Sequence, residues 1–249
     1  MLILPQNSPP DATLAANLAA LRSRIAVAAA AAGRTEQQVT FVAVGKGQGA
    51  ERLRAAAGLG LAHFGENYLQ EALPKLAALE DLPLTWHFIG RLQANKTRDV
   101  AERFQWVHGV DRLRIAERLA AQRPHHAPPL DVLLQVNIAH DDAKAGIAPA
   151  AAPALALAIA ALPRLALRGF MCMRPEGLDG AARRAAYAAL RRLLGECNAR
   201  GARLDALSMG MSGDFELAIA EGATEVRIGT AIFGARPYPD DYYWPEAGP

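Results

Sequence analysis

Eight short apolar segments alternate with amphipathic segments of helical length along this chain, and this alternation restricts the fold more than any other feature. Most of the apolar segments are rich in Val, Ile, Leu and Phe and lack a strict period of two, which is typical of strands buried on both faces of a parallel sheet. They cover residues 39–44, 61–65, 85–90, 104–110, 130–137, 165–173, 203–210 and 225–229. The helical segments between them include 49–59, 67–79, 91–103, 111–122, 149–162 and 180–200.

Strands that alternate with helices fit either a closed β/α barrel or an open doubly wound sheet. The strand count and the length of 249 residues favour the barrel, which typically needs about 250 residues. The glycines at 45–49 have neither dinucleotide nor P-loop spacing. We therefore predict an α/β fold: a single (β/α)8 TIM barrel domain over 1–249, with an extra N-terminal helix and no C-terminal β domain. Residues 1–10 are expected to be an irregular leader and residues 237–249 a C-terminal tail.

Composition argues against several classes of protein. The net charge is +2 with both signs interspersed, so nucleic acid has no basic surface to bind. The two cysteines, Cys172 and Cys197, cannot make a disulfide framework, and no Cys/His cluster has zinc spacing. The first residues lack the basic region of a signal peptide, and the most apolar run, 148–162, is too short to span a bilayer. We expect a cytoplasmic protein without a metal site, a nucleic-acid partner or a membrane partner.

Lys46 follows the first predicted strand, at the end of the barrel where β/α barrels build their active sites. A lysine in such a place is ordinarily a solvated surface residue. However, the chain has only four lysines against many arginines, so Lys46 is not generic positive charge. A neutral amine can form an imine, which a guanidinium cannot. Gly45 and Gly47 would let a ligand approach the backbone closely. The pattern predicts a Schiff-base lysine.

The loops after the seventh and eighth predicted strands are where barrels commonly bind phosphate, through N–H groups at the start of a helix. Ser212 is predicted to open a helix that runs to Ala220, and Gly229 and Thr230 to open a turn after the last strand. Each loop alone is equally well explained as an ordinary capped turn. Together they favour a phosphate group. An imine-forming lysine facing a phosphate site predicts pyridoxal 5'-phosphate (PLP) as the cofactor.

Three further residues have two interpretations each, and a fourth has none. Arg227 is either a surface ion-pair residue or the donor to the pyridine nitrogen, where it would keep that nitrogen unprotonated and the cofactor a weak electron sink. Asn67 either orients the lysine or cofactor, or caps the following helix. His87 is at least as well explained as a buried core histidine as by a role in the site. His108 has no partner at a recognisable spacing.

The same residues resemble a known family in stretches that run in family order from about residue 39 to 236. These stretches are FVAVGK (41–46), FGENYLQE (64–71), WHFIGRLQANK (86–96), QVN (135–137), KAG (144–146), LSMGMS (207–212) and VRIGTAIFGAR (226–236). The chain resembles the YggS/PROSC-type PLP homeostasis proteins, PLP-binding proteins of fold type III with a barrel like the N-terminal domain of alanine racemase. The resemblance implies that Lys46 carries PLP, that Arg227 faces the ring nitrogen and that Asn67 lies beside the cofactor. It also implies that Ser212, Gly229 and Thr230 surround the phosphate.

The first loop departs from the family pattern. The family usually has Ser or Thr before the lysine and Lys-Pro shortly after it, whereas Gly45 precedes Lys46 here and Gly47-Gln48-Gly49 follows. The departure bears on the rigidity of this loop and on the rate of PLP exchange.

The leading hypothesis for function is PLP homeostasis or carriage by a monomer that passes PLP to apo-enzymes, without a committed reaction of its own. Fold type III racemases and decarboxylases add a C-terminal β domain that supplies a second acid/base group, and this chain ends soon after the eighth strand. One alternative is a small amino-acid racemase-like enzyme using Tyr68, His87 or the aromatic tail. Another is a barrel that binds a different phosphorylated metabolite, with Lys46 acting only through its charge.

Overall fold

The structure is a computed structural model that describes residues 11–139, 141 and 144–235. The strands of this part of the chain lie close to the predicted apolar segments. They are β1 (Thr40–Val44), β2 (His63–Glu66), β3 (Thr85–Phe88), β4 (Trp106–Val110), β5 (Leu130–Gln135), β6 (Leu165–Met171), β7 (Ala206–Met211) and β8 (Glu225–Ile228). The predictions for 1–10 and 237–249 fall outside the described residues.

In the described residues one α-helix precedes the first strand, and one follows each of the eight strands. These helices are α1 (Asp11–Ala31), α2 (Ala50–Gly58), α3 (Leu69–Ala78), α4 (Thr97–Arg103), α5 (Leu113–Gln122), α6 (Ala152–Ala160), α7 (Gly180–Ala199), α8 (Phe215–Ala220) and α9 (Thr230–Phe233). The predicted segment 91–103 divides into a 3-10 turn at Ala94–Lys96 and the shorter α4. The prediction that Ser212 opens the helix after β7 is wrong, because α8 begins only at Phe215.

The strands pair in chain order and in parallel, and β8 returns to β1 to close the barrel. Val42 of β1 is in register with Arg227 of β8, and Ala43 with Phe64 of β2. The (β/α)8 barrel with an N-terminal helix is thereby confirmed. Closure places the C-terminal ends of β1 and β8 side by side, so the loops that follow them meet at one mouth.

Apolar side chains form a large core between the strands and the surrounding helices, including Phe64, Phe88 and Phe104, which are fully buried. A second, smaller cluster consists of Leu133, Met171 and Ala206. The apolar side chains fall into two clusters because successive side chains along a strand point to opposite faces of the sheet.

Helix α1 packs beside α8 and α9. Its Leu14, Leu18 and Leu21 recur every three to four residues and are buried, as expected for the inward stripe of a surface helix. Asn17 Nδ2 donates to the Ile232 carbonyl at 3.0 Å, which ties α1 to α9 beside the barrel mouth. By length and composition alone, α1 is also apolar enough to cross a membrane.

Candidate cofactor site

Lys46 lies in the turn after β1, where the Gln48 N–H donates to the Gly45 carbonyl at 2.9 Å. The side chain is half-buried and lines a cavity together with Gly229, Thr230 and Phe233. Its Nζ is 5.8 Å from the centre of the Tyr68 ring. The structure therefore brings the predicted imine lysine to the loop after β8, as the adjacency of β1 and β8 requires.

The two predicted phosphate loops meet at the start of α9. Gly229 precedes the first helical residue, Thr230, and the N–H groups of Ile232 and Phe233 donate to the Gly229 carbonyl at 3.0 and 2.9 Å. The Ala231 N–H lies 3.4 Å from Ser212 Oγ, the hydroxyl of the β7–α8 loop. Ser212, Gly229 and Thr230 are thus brought together although Ser212 begins no helix. Backbone N–H groups and a hydroxyl are donors that suit an anion.

Asp214 explains why the loop after β7 continues past Ser212. Its buried carboxylate accepts from the Met211 N–H at 2.8 Å and from the Tyr187 hydroxyl at 2.9 Å. The same carboxylate lies 3.3 Å from Arg174 Nε. These partners fix Asp214 immediately before α8. Its negative charge is paired with Arg174 and faces Tyr187 of α7.

Arg227 is almost completely buried, so the surface ion-pair interpretation is wrong. It donates from Nη1 to Ser208 Oγ at 2.7 Å and from Nη2 to the Cys172 carbonyl at 2.8 Å. Burial lowers the pKa of the guanidinium, but arginine remains charged in proteins. A buried cation held by a hydroxyl and a carbonyl oxygen is costly for stability, which suggests that its position serves a ligand.

A chain of hydrogen-bonded histidines leads to Arg227. His63 Nδ1 is 3.0 Å from His87 Nε2, and His87 Nδ1 is 2.9 Å from His108 Nε2. His108 Nδ1 is 2.9 Å from Ser208 Oγ, the hydroxyl that Arg227 also contacts. Burial lowers the pKa of His87 and His108 well below the usual range, so both rings are neutral at neutral pH. The sequence showed no recognisable partner spacing for His108, and the structure places its ring between His87 and Ser208.

Glu225 lies beside this chain, with Oε2 3.4 Å from His108 Nε2 and without a hydrogen-bond partner among the described residues. Ligand atoms of His87, His108 and Glu225 lie within 4.8 Å of one another, a spacing that would admit a metal ion. The charge of Arg227 lowers the pKa of His108 and would equally oppose a second cation. A proton satisfies the carboxyl instead, because burial raises the pKa of Glu225 to about 8.

Glu225→Gln should remove a pH-dependent loss of stability. The folded-state pKa of Glu225 is raised from its ordinary 4.5 to about 8, so its stability contribution is complete below about pH 4.5 and is lost as the pH rises to about 8. An amide does not ionise. The variant should therefore gain on the order of 4 kcal/mol of unfolding free energy relative to the parent at about pH 9, and little at about pH 5. Urea unfolding across this range measures the difference.

The matched control is Glu80→Gln, because Glu80 is exposed. This variant should follow the parent at every pH. A constant offset between Glu225→Gln and the parent from acid to alkaline pH would show that folding does not raise the pKa of Glu225.

Asn67 lies between β2 and α3 and is half-buried. Tyr68 occupies the position before the first residue of α3, so the interpretation of Asn67 as the helix cap is wrong. The Asn67 carbonyl packs against Gly90, where a Cβ would come within 2.0 Å of it. Backbone contact thus fixes the segment that carries Asn67 and Tyr68.

Comparisons with known proteins agree with this geometry. Residues 16–237 match the family described as alanine racemase, N-terminal domain. A pyridoxal phosphate homeostasis protein of Pseudomonas aeruginosa is 56% identical over 226 residues, which cover 91% of this chain and 97% of that one. Its counterpart in Escherichia coli K12 is 47% identical over 235 residues, covering 90% and 97%.

A solved structure supports the same relationship. PipY of Synechococcus elongatus PCC7942, with PLP bound, matches with a TM-score of 0.80 and 40% identity over 89% of this chain and 100% of PipY. The chain therefore belongs to the alanine racemase N-terminal domain family and, within it, to the pyridoxal phosphate homeostasis proteins.

Proposed function

We propose that this protein binds PLP as a Schiff base on Lys46 and serves PLP homeostasis or carriage. The observation that carries the proposal is the cavity shared by Lys46, Gly229 and Thr230 at the adjoining ends of β1 and β8. Its relatives are named PLP homeostasis proteins, and the similar PipY structure has PLP bound.

The residues around the cavity fit the three parts of PLP. When bound, PLP supplies an aldehyde that condenses with a primary amine, and Lys46 offers that amine. Ser212 and the N–H groups around Gly229 and Thr230 would hold the phosphate. A Cβ at 229 would lie 3.5 Å from the Val44 side chain, so glycine leaves that volume of the cavity free.

Arg227 would face the ring nitrogen, and Asn67 would lie beside the cofactor. The burial of the guanidinium among neutral acceptors supports this role, because stability alone gives little reason to keep such a charge. Arginine at this place holds the ring nitrogen unprotonated, which makes PLP a weak electron sink. A site of this kind suits retention and transfer of PLP better than a committed reaction.

The proposal also covers the domain organisation, the oligomeric state, the compartment and the recipients of PLP. We propose that residues 1–249 form one PLP-binding domain that acts as a monomer in the cytoplasm and passes PLP to PLP-dependent apo-enzymes. The two buried, free cysteines are consistent with a reducing compartment.

A visible absorption titration with PLP, followed by borohydride reduction and peptide mapping, tests the binding mode. We expect an imine band and one reduced pyridoxyl group on the peptide that contains Lys46. A protein that develops no imine band and yields no reduced adduct would instead bind another phosphorylated metabolite or none.

A small amino-acid racemase-like enzyme is the second candidate, and the position of Tyr68 favours it. Its ring lies 5.8 Å from Lys46 Nζ, where a phenol could exchange protons with a substrate. Incubating the PLP-loaded protein with a panel of L- and D-amino acids in D2O separates the candidates. The carrier function predicts no more α-deuteration than free PLP causes, and catalytic deuterium uptake would establish the enzyme.

A further inference from the structure

Lys75 of α3 is a buried lysine that lies next to the Lys46 loop. Its side chain is 7% exposed, and its ammonium donates to three acceptors. These are the Gly45 carbonyl at 2.7 Å, Glu66 Oε1 at 2.8 Å and Glu71 Oε1 at 2.6 Å. An ammonium has three N–H donors, so this arrangement uses all of them.

The cluster holds the peptide groups on both sides of Lys46. The Gly45 carbonyl, in the peptide before Lys46, accepts from Lys75. The Gly47 N–H, in the peptide after it, donates to Glu71 Oε1 at 2.6 Å. These two peptide planes define φ and ψ of Lys46, so one ion pair on α3 restrains the backbone from which the amine projects.

Stability alone does not account for this cluster. Buried ion pairs contribute little net stability, because desolvation offsets their attraction. Glu66 Oε2 and Glu71 Oε2 are buried without a hydrogen-bond partner among the described residues. Burial also raises the pKa of Glu66 to about 7, even beside Lys75. Glu71 is therefore held where it reaches the Gly47 N–H and Glu66 where it reaches Lys75, although one oxygen of each carboxylate is left without a hydrogen bond.

The residue before Lys46 is matched to the cluster. A Cβ at position 45 would lie 2.4 Å from Glu66 Oε1 and 3.1 Å from Leu53 Cδ2. Glycine at this position thus leaves room for the Glu66 side chain in this structure. Gly47, with φ of 74°, adopts a conformation that glycine favours. Two glycines would make the loop mobile in isolation, and the contacts from α3 oppose that mobility.

We propose that Lys75 and Glu71 are positioning residues that pre-order the Lys46 loop and thereby slow the release of PLP. The inference rests on the proposed function of Lys46. Fixing the backbone of one residue costs roughly 1–2 kcal/mol of conformational entropy. A loop ordered before binding does not incur that cost when PLP binds, which is the general advantage of preorganisation.

Glu71→Ala is the principal test, with Glu71→Gln as the conservative variant. Alanine removes the acceptor for the Gly47 N–H, whereas the glutamine amide keeps a carbonyl oxygen in its place. We expect PLP release into an excess of an aminooxy scavenger to become about ten-fold faster in Glu71→Ala and to stay within about three-fold in Glu71→Gln. Lys75→Met removes the hydrogen bond to Gly45 and is expected to change the rate in the same direction.

Hydrogen–deuterium exchange of the Gly47 amide gives a second measurement that needs no PLP. Exchange in the apo-protein should be faster in Glu71→Ala and close to the parent rate in Glu71→Gln. Glu80→Ala is the matched control, since Glu80 is exposed just beyond α3, and both rates should be unchanged in it.

Several results would overturn the proposal. One is faster Gly47 exchange in Glu71→Ala with an unchanged rate of PLP release, and another is unchanged exchange. Equal acceleration in Glu71→Ala and Glu71→Gln would assign the effect to charge and not to the restrained peptide. A parent protein that takes up no PLP would refute the proposed function itself, while exchange at Gly47 would still report whether the contact forms.

Discussion

Lys46→Arg is expected to abolish the covalent attachment of PLP. The variant keeps a cation at the cavity formed with Gly229 and Thr230, but a guanidinium does not form an imine. We expect no imine band and no borohydride-stable adduct, against one adduct per chain in the parent. PLP should also be lost on gel filtration, since only the phosphate and ring contacts remain. Absorption spectra and intact-protein mass spectrometry measure the change.

The same substitution at Lys96 is the matched control. Lys96 Nζ makes an exposed hydrogen bond of 3.3 Å to Gln70 Oε1, away from the cavity residues, so Lys96→Arg should load PLP as the parent does. An adduct that persisted in Lys46→Arg would place the attachment on another lysine and refute the assignment. If the parent and Lys46→Arg bound PLP equally well and neither formed an imine, Lys46 would act only through its charge.

The barrel was predictable because its determinants are local. Each strand is a short run of apolar residues, and each helix a periodic one, so the order of elements can be read along the chain. The start of α8 could not be predicted, because Ser212 and Asp214 are both favourable residues immediately before a helix. The contacts of Asp214 with Tyr187 and Arg174 decide between them, and those partners are distant in sequence.

Part of the candidate site could also be predicted from local sequence, and part depends on contacts between distant residues. Lys46, Gly229 and Thr230 follow strands, so the general architecture of β/α barrels places them at one mouth. The histidine chain depends on the register between neighbouring strands, and its His108–Ser208 contact joins residues 100 positions apart. Lys75 would be expected on the exposed face of a short helix, and only the position of α3 against β2 and the loop after β1 shows why it is buried. A polar residue at an inward strand position is the feature that could have indicated the histidine chain.

Gly90→Ala is expected to destabilise the barrel mouth and weaken PLP binding together. A Cβ at position 90 would lie 2.0 Å from the Asn67 carbonyl oxygen and 2.7 Å from its carbon. Both are backbone atoms, so no change of rotamer relieves the clash. Overpacking of this kind costs about 1–3 kcal/mol or more, and here it would also displace the segment that carries Asn67 and Tyr68. Urea unfolding and PLP titration of the same variant measure the two effects.

Gly195→Ala provides the opposite expectation for the same substitution. Gly195 lies within α7, and a Cβ there would meet nothing within 4 Å. Alanine is favoured over glycine inside a helix, so this variant should gain about 0.8–1.0 kcal/mol of unfolding free energy and bind PLP as the parent does. If Gly90→Ala proved as stable as the parent, the backbone at Asn67 would have to move at little cost in free energy. That result would contradict a fixed position for Asn67 beside the cofactor. If it lost stability but kept full PLP affinity, the close approach at Gly90 would serve the barrel and not the site.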